Sequence, residues 1–291
     1  MARRLLIVNP YASGVDEARV AAVAEALGDV DVRRTEHRGH ATELVRDAAD
    51  AETIYVFSGD GGFNEALNGL ERDVPIGFVP GGGANVLPRA LGLPKDPVSA
   101  ARILARDTTR RISLGRVNGR RFGFSSGIGL DAEVVRRIEG RGRSGTGRRA
   151  GNVAFAFMIA RVLAERRGRL GPVLEIAGHG RAAFALVANC DPYTYAGPLP
   201  VHVAPRASFE LGLDLVAPQE VRPGALPRFA RYVLLGRGHG GARDLVYGHD
   251  LDRIEVRADQ AQPLQADGED LGDVTEAVFE AERDAVRVLV P

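Results

Sequence analysis

Apolar runs that stop at glycine-rich turns, then resume at spacings of three and four, recur through the first hundred residues. Leu5 to Val8 predicts a buried strand, followed by the loop Asn9-Pro10-Tyr11-Ala12-Ser13-Gly14. Val20, Val23, Ala24 and Leu27 then mark one helix face. Val30 to Val32 predicts a short strand ending near Thr35, and Thr42 to Ala49 a helix with Thr42 in its cap region. Thr53 to Phe57, β-branched and aromatic, runs into Ser58-Gly59-Asp60-Gly61-Gly62, after which Phe63, Ala66, Leu67 and Leu70 recur at helical spacing. Pro75 to Val79 is a further strand, and Pro80-Gly81-Gly82-Gly83-Ala84-Asn85 a second glycine turn that feeds a helix from Val86 to Leu91. An amphipathic helix is expected from Pro97 to Arg106. This alternation predicts a parallel sheet with helices on both faces and ligand loops at the carboxyl ends of strands. The three loops are expected to converge on one crevice.

The rhythm changes near Arg110. Asn118-Gly119, flanked by apolar alternation, is a strong hairpin signal. Beyond it short strands are expected at Val173–Ile176, Ala182–Ala188, Leu199–Val203, Leu213–Val216, Ile254–Arg257 and Pro263–Gln265, as in an antiparallel β-sandwich. The expected division is an α/β domain over 1–110 and a β-sandwich domain over 111–284, with a last strand over 285–291 returning to one or the other. Gly140 to Arg149 reads as a mobile basic loop, either plain solvated surface or a contact for anionic lipid headgroups. Asn152 to Leu163 is apolar on most of its circumference, which suits a core helix and also a helix at a lipid interface.

Composition removes several classes. The 291 residues carry 38 basic and 38 acidic side chains, so no global field marks a nucleic-acid binder, and the arginine loop lacks interleaved aromatics. Lys95 is the one lysine and stands in Pro94-Lys95-Asp96, which excludes a Walker-type P-loop. A single cysteine, Cys190, permits no intrachain disulfide and suits a reducing interior. The apolar N-terminal run is too short for a signal peptide, and no run approaches the roughly 18 residues of a membrane span. A cytoplasmic protein with peripheral membrane contact is expected.

The turn after Phe57 is the strongest chemical signal. Strand, glycine turn and helix start together leave unpaired N–H groups pointing outward, as an anion site requires. The glycines allow close backbone approach, and Asp60 can hold a metal that accompanies a nucleotide. Taken alone, the segment also reads as an ordinary tight turn.

Six motifs in order widen that signal: Asn9-Pro10-Tyr11-Ala12-Ser13-Gly14, Thr35, Ser58-Gly59-Asp60-Gly61-Gly62-Phe63-Asn64-Glu65, Pro80 to Val86, Gly127-Ile128-Gly129-Leu130-Asp131-Ala132 and Asp267-Gly268-Glu269. With them the chain resembles the diacylglycerol kinase catalytic-domain family, which also holds sphingosine and ceramide kinases and bacterial soluble lipid kinases. The family patterns are Asn-Pro-x-x-Gly, a nucleotide-contacting Thr, Gly-Gly-Asp-Gly-Thr-x-x-Glu, Pro-x-Gly-Thr-x-Asn-Asp, Gly-Ile-Gly-x-Asp-Ala and Asp-Gly-Glu.

The resemblance implies that an α/β domain binds ATP and a β domain binds lipid, and that the γ-phosphoryl group passes to a lipid hydroxyl in the cleft between them. Diacylglycerol is the default acceptor. It implies nucleotide contacts from Asn9, Pro10, Ser13, Gly14, Thr35, Ser58 to Gly62, Asn64, Glu65, Gly81 to Gly83 and Asn85. It further implies Mg²⁺ with ATP at Asp60, and a base at Asp267 or Glu269. A lipid substrate at the membrane surface and a homodimer are the partners it suggests.

The departures are Gly62 and Gly83 where the family has threonines, Val86 where it has aspartate, and Leu211 within its structural-metal motif, where Glu210 or Asp214 would have to compensate. They keep open a lipid-binding relative without catalysis. A nicotinamide-dinucleotide kinase, which shares the Gly-Asp-Gly turn, is the third reading. Asp-Gly-Glu alone is also a good turn sequence.

Overall fold

The computed structural model describes residues 3–142, 152–196, 199–236 and 242–291. Two compact units are present: Met1–Ser113 with Asp284–Pro291, and Leu114–Arg283.

In the first unit the elements alternate: β1 (Arg4–Val8), α1 (Glu17–Leu27), β2 (Asp31–Arg34), α2 (His40–Asp47), β3 (Thr53–Ser58), α3 (Asp60–Gly69), β4 (Ile76–Pro80), α4 (Val86–Ala90) and α5 (Pro97–Leu104). The strands pair in parallel in the order β2-β1-β3-β4. All strands but β2 are buried apolar runs, so alternate residues serve opposite faces. Leu6, Val8, Tyr55 and Phe57 pack with Val20, Val23 and Leu27 of α1 and Ala101 and Leu104 of α5. The rings of Phe63 and Phe78 meet edge-on at 5.3 Å, which seats α3 on β4. Asp16 and Asp96 cap α1 and α5 by accepting the N–H groups of Arg19 and Ser99. In this strand order the direction of winding reverses between β1 and β3, so their carboxyl-end loops open at the switch point.

Thr42 does not cap its helix. The helix begins two residues earlier, after Gly39 in the left-handed region at φ 86°, and the Thr42 hydroxyl donates to Glu65 O at 2.7 Å.

The second unit is antiparallel where its strands pair, and it carries helices. Its elements in chain order follow β5 (Thr109–Val117), whose first half lies in the first unit. They are β6 (Arg120–Phe122), β7 (Ser125–Ile128), α6 (Leu130–Gly142), α7 (Asn152–Glu165), β8 (Leu174–Ile176), β9 (Gly180–Ala182), β10 (Ala185–Ala188), β11 (Thr194–Ala196) and β12 (Leu199–Val201). After these come β13 (Leu213–Pro218), α8 (Leu226–Leu235), β14 (Leu245–Leu251), β15 (Arg253–Ala266) and β16 (Glu269–Leu289). The order β14-β13-β10-β7-β15-β16 carries a core of Ile128, Val187, Leu215, Ile254, Leu264 and Phe279.

Two readings change here, and one that was open is resolved. Ile254–Arg257 and Pro263–Gln265 belong to one strand of 14 residues, because the ladder is irregular around Pro263 and the proline's missing N–H is tolerated there. The terminal run is the end of the 21-residue β16, and Val288 pairs in parallel with Ile76 of β4. Leu130 to Gly142 is helical, so Gly140 does not start a loop, and the remainder of the basic stretch, 143–151, lies outside the described residues. Met158 and Val162 of α7 are buried against Leu130 and Val134, as a core helix requires. Among the described residues no helix is long and apolar enough to cross a membrane.

Candidate active site

Within the first unit three loops meet. Gly14 N–H donates to Gly81 O at 2.8 Å, and Gly81 N–H donates to Ser58 O at 2.6 Å. A Cβ on Gly14 would stand 2.9 Å from Gly81 O, and one on Gly82 would stand 2.7 Å from the Gly59 Cα. Those approaches to backbone leave no room for a side chain at Gly14 or Gly82, and Gly59 and Gly81 are also tightly enclosed.

Side chains then fix the loops. Asn85, at φ 48°, accepts Gly82 N–H with Oδ1 and donates to Gly82 O with Nδ2, both at 2.8 Å. Asp60 Oδ1 accepts Val86 N–H at 2.7 Å and ties the second glycine loop to the first. Asn9 Oδ1 accepts Tyr11 N–H at 3.0 Å and folds the first loop on itself, while Pro10 and Ser13 are exposed. Thr35 is buried at the end of β2, its N–H on Val8 O.

The helix α3 starts at Gly59 without a side-chain cap, so its leading N–H groups face the loop cluster. Asn64 and Glu65 lie deeper in α3. Asn64 is buried and bonded by Asn68, and the Glu65 carboxylate takes Ala41 N–H at 3.3 Å, so both serve the packing of α3.

The residues fit a nucleotide phosphate with its metal. The three loops form a backbone cradle that side chains would fill, one carboxylate stands at its edge, and Ser58 Oγ is buried beneath it with no hydrogen-bond partner among the described residues. Magnesium commonly takes only one or two protein carboxylates, so a single Asp60 suffices. Gly62 and Gly83 differ in kind. Gly83 is exposed, with open space around its Cβ direction, whereas a Cβ on Gly62 would overlap Ser58 Oγ and stand 2.8 Å from Ser58 Cβ.

In the second unit Asp267 and Gly268 form the two-residue turn between β15 and β16, with φ of 49° and 77°, as Asp-Gly hairpins require. The Asp267 carboxylate is buried and accepts three backbone N–H groups, from Gly123 at 2.7 Å, Phe124 at 3.0 Å and Ser125 at 3.2 Å. Glu269 pairs with Arg120. Behind the turn, Gln265 Oε1 accepts Gly268 N–H at 2.9 Å, and Gln265 Nε2 donates to Asp131 Oδ2 at 2.6 Å. Tyr193 OH donates to the same oxygen at 2.6 Å. Burial pushes the Asp131 carboxyl above its ordinary value, against the opposing hydrogen bonds of Tyr193 and Gln265. Asp131 stood in a recognised motif without a role. Its signal was a carboxylate inside an apolar, glycine-flanked stretch, which must be either paired or neutral.

Glu210 and Asp214 do not fit a structural cation. Asp214 is fully buried, and its carboxylate is taken by Tyr247 OH at 2.6 Å, His249 Nδ1 at 2.7 Å and Asp250 N–H at 3.1 Å. Glu210 is exposed beside Ser208.

Residues 3–117 match the family of the diacylglycerol kinase catalytic domain. A Pseudomonas aeruginosa protein named "Probable lipid kinase YegS-like" is 36% identical over 150 residues, 47% of this chain and 49% of that protein. A Bacillus subtilis diacylglycerol kinase is 30% identical over 146 residues, 46% of this chain and 48% of that one. The match thus spans about half the length of these curated relatives. A crystal structure of a diacylglycerol kinase from Bacillus anthracis str. Sterne superposes with a TM-score of 0.73 at 21% identity, covering 99% of this chain and 97% of that one. At that identity the likeness is one of fold. Through its loops and the alternating unit that carries them, the segment 3–117 is a domain of the diacylglycerol kinase catalytic-domain family.

Proposed function

We propose that the protein is an ATP-dependent lipid kinase that transfers the γ-phosphoryl group to a lipid hydroxyl, with diacylglycerol as acceptor and phosphatidic acid as product. The convergence of the three glycine loops around Asp60 carries this reading. Phosphoryl transfer needs positioning and charge neutralisation more than covalent chemistry from the protein.

Amides of the turns at Gly14, Ser58–Gly62 and Gly81–Gly83 would hold the phosphates, with Asn9, Pro10, Ser13 and Thr35 at the nucleotide's edge. Asp60 would hold Mg²⁺, which supplies neutralisation of phosphate charge when bound. Asn85 keeps the second loop in register. A carboxylate of the Asp267–Glu269 turn takes the proton of the acceptor hydroxyl. Asp267 is the better oriented of the two, since three amides fix its oxygens. The acceptor is met at a membrane surface, as a two-chain lipid requires.

The test is label transfer from γ-labelled ATP into a mixed bacterial lipid extract with Mg²⁺, comparing the intact chain with Asp267→Asn. A labelled lipid that the variant does not form supports the reading and gives the acceptor by mobility. Absence of labelled lipid from the intact folded chain rejects it. Lipid binding that needs neither ATP nor Asp267 would then favour a non-catalytic lipid-binding protein, a reading motivated by Gly62, Gly83 and Val86.

A further inference from the structure

The turn after β3 carries serine first and glycine fifth, where the family pattern has glycine first and threonine fifth. Counted along the sequence, position 62 has lost a hydroxyl. In space the hydroxyl is still there. A Cβ on Gly62 would overlap Ser58 Oγ, so the serine side chain fills the volume that a side chain at 62 would need. The same Cβ would stand 3.9 Å from Asn9 Nδ2, which puts this volume between the Asn9–Gly14 and Ser58–Gly62 loops.

Ser58 is 1% exposed, and its Oγ has no hydrogen-bond partner among the described residues. A buried hydroxyl left unpaired costs stability, and native proteins keep few of them. This one lies under the uncapped first turn of the ten-residue helix α3. Gly62 beside it is half-buried and has no side chain to shield it.

We propose that Ser58 Oγ is the hydroxyl that donates to a phosphoryl oxygen of the nucleotide at this turn, and that residue 62 is glycine because Ser58 occupies its side-chain space. The inference rests on the ATP reading above. It recasts one of the departures from the family pattern as an exchange of positions: a hydroxyl carried from the helix to the strand end.

The exchange makes the two positions interdependent. Gly62→Thr alone forces two side chains into one space. Ser58→Ala removes the hydroxyl and also removes an unpaired buried polar atom, so its effects on the free protein and on binding have opposite signs. The free Ser58→Ala protein is expected to melt at the same temperature as the wild type or higher, yet to bind nucleotide about tenfold or more weakly, as loss of a hydrogen bond to a charged group implies. The double variant Ser58→Gly with Gly62→Thr is expected to restore affinity to within about threefold of wild type.

The experiment is calorimetric titration of the full chain and these variants with MgATP, alongside thermal melting without nucleotide. Weakened binding by Ser58→Ala, with an unchanged or raised melting temperature and recovery in the double variant, is the expected result. Should the double variant not fold, the Ser58→Ala pair of measurements decides. Wild-type binding matched by Ser58→Ala, or a lowered melting temperature that accounts for its weaker binding, overturns the proposal and leaves the nucleotide reading intact. A wild-type chain that binds no MgATP overturns both.

Discussion

The carboxylate of Asp60, in the first turn of α3, accepts the backbone N–H of Val86, in the first turn of α4, at 2.7 Å. The family pattern puts a second aspartate at the position of Val86, yet here the contact from Asp60 goes to main chain and does not depend on that side chain. One carboxylate therefore joins two loops, and it is the same carboxylate that is proposed to hold the metal.

That double service separates two substitutions. Asp60→Asn keeps an acceptor for Val86 N–H and loses the charge, so it is expected to fold with little change in stability. Its ATP affinity should drop about tenfold or more only when Mg²⁺ is present. Asp60→Ala loses both and should be destabilised by about 1–2 kcal/mol. Calorimetry with and without Mg²⁺, beside urea unfolding, reads the two effects.

Asp267 has a structural load as well as a proposed chemical one. In Asp267→Asn an NH₂ group must face one of the N–H donors of Gly123, Phe124 or Ser125, at a cost of about 1–3 kcal/mol. The variant is expected to lose about 100-fold or more in kcat and to unfold at lower urea. Glu269→Gln, which loosens the pairing with Arg120, is expected to lose less than tenfold. The reverse ranking in a steady-state assay would name Glu269 as the base.

The Asp131 carboxyl is raised above its ordinary value of 3.8 by burial, which outweighs its bonds from Tyr193 and Gln265. Between the unfolded and folded values the native state holds more protons than the unfolded one, so its contribution to stability is full below about pH 4 and lost as pH rises. Asp131→Asn, which resembles the protonated acid and keeps an acceptor, is expected to gain on the wild type as pH rises. Urea midpoints of both proteins from pH 4 to 8 check this. A difference between them that does not vary with pH would contradict it.

Gly83 has open space around it and no left-handed φ, so Gly83→Thr is expected to change stability by no more than about 0.5 kcal/mol. It returns a hydroxyl to the second loop and should hold or improve MgATP affinity in the same calorimetric assay.

The parallel half was legible because its strands are short, buried runs bounded by glycine turns, and because burial on both faces removes ambiguity about register. Asn118-Gly119 was legible for the same local reason, since both residues adopt the positive φ that the sequence advertises. The antiparallel half was less so. Its two long strands pass through a bulge at Pro263 and the left-handed Asp284, which look like breaks when read along the chain. The helix α6 is not among the expected elements although Val134, Val135 and Ile138 have helical spacing. At the site, the loops could be read from glycine spacing, but what each side chain holds could not. That Asp267 sits on three amides, or that Ser58 fills the space of residue 62, depends on contacts between segments distant in sequence or on the turn's own curvature.

The central claim is tested most directly by following phosphatidic acid formation by mass spectrometry, from diacylglycerol in mixed micelles with MgATP and the full chain. The expected result is product that accumulates in step with ADP, requires Mg²⁺ and falls sharply with Asp60→Asn. Folded protein that binds MgATP but forms no phosphatidic acid would contradict diacylglycerol as the acceptor, and failure across sphingoid, ceramide and inositol lipids as well would contradict the lipid kinase itself.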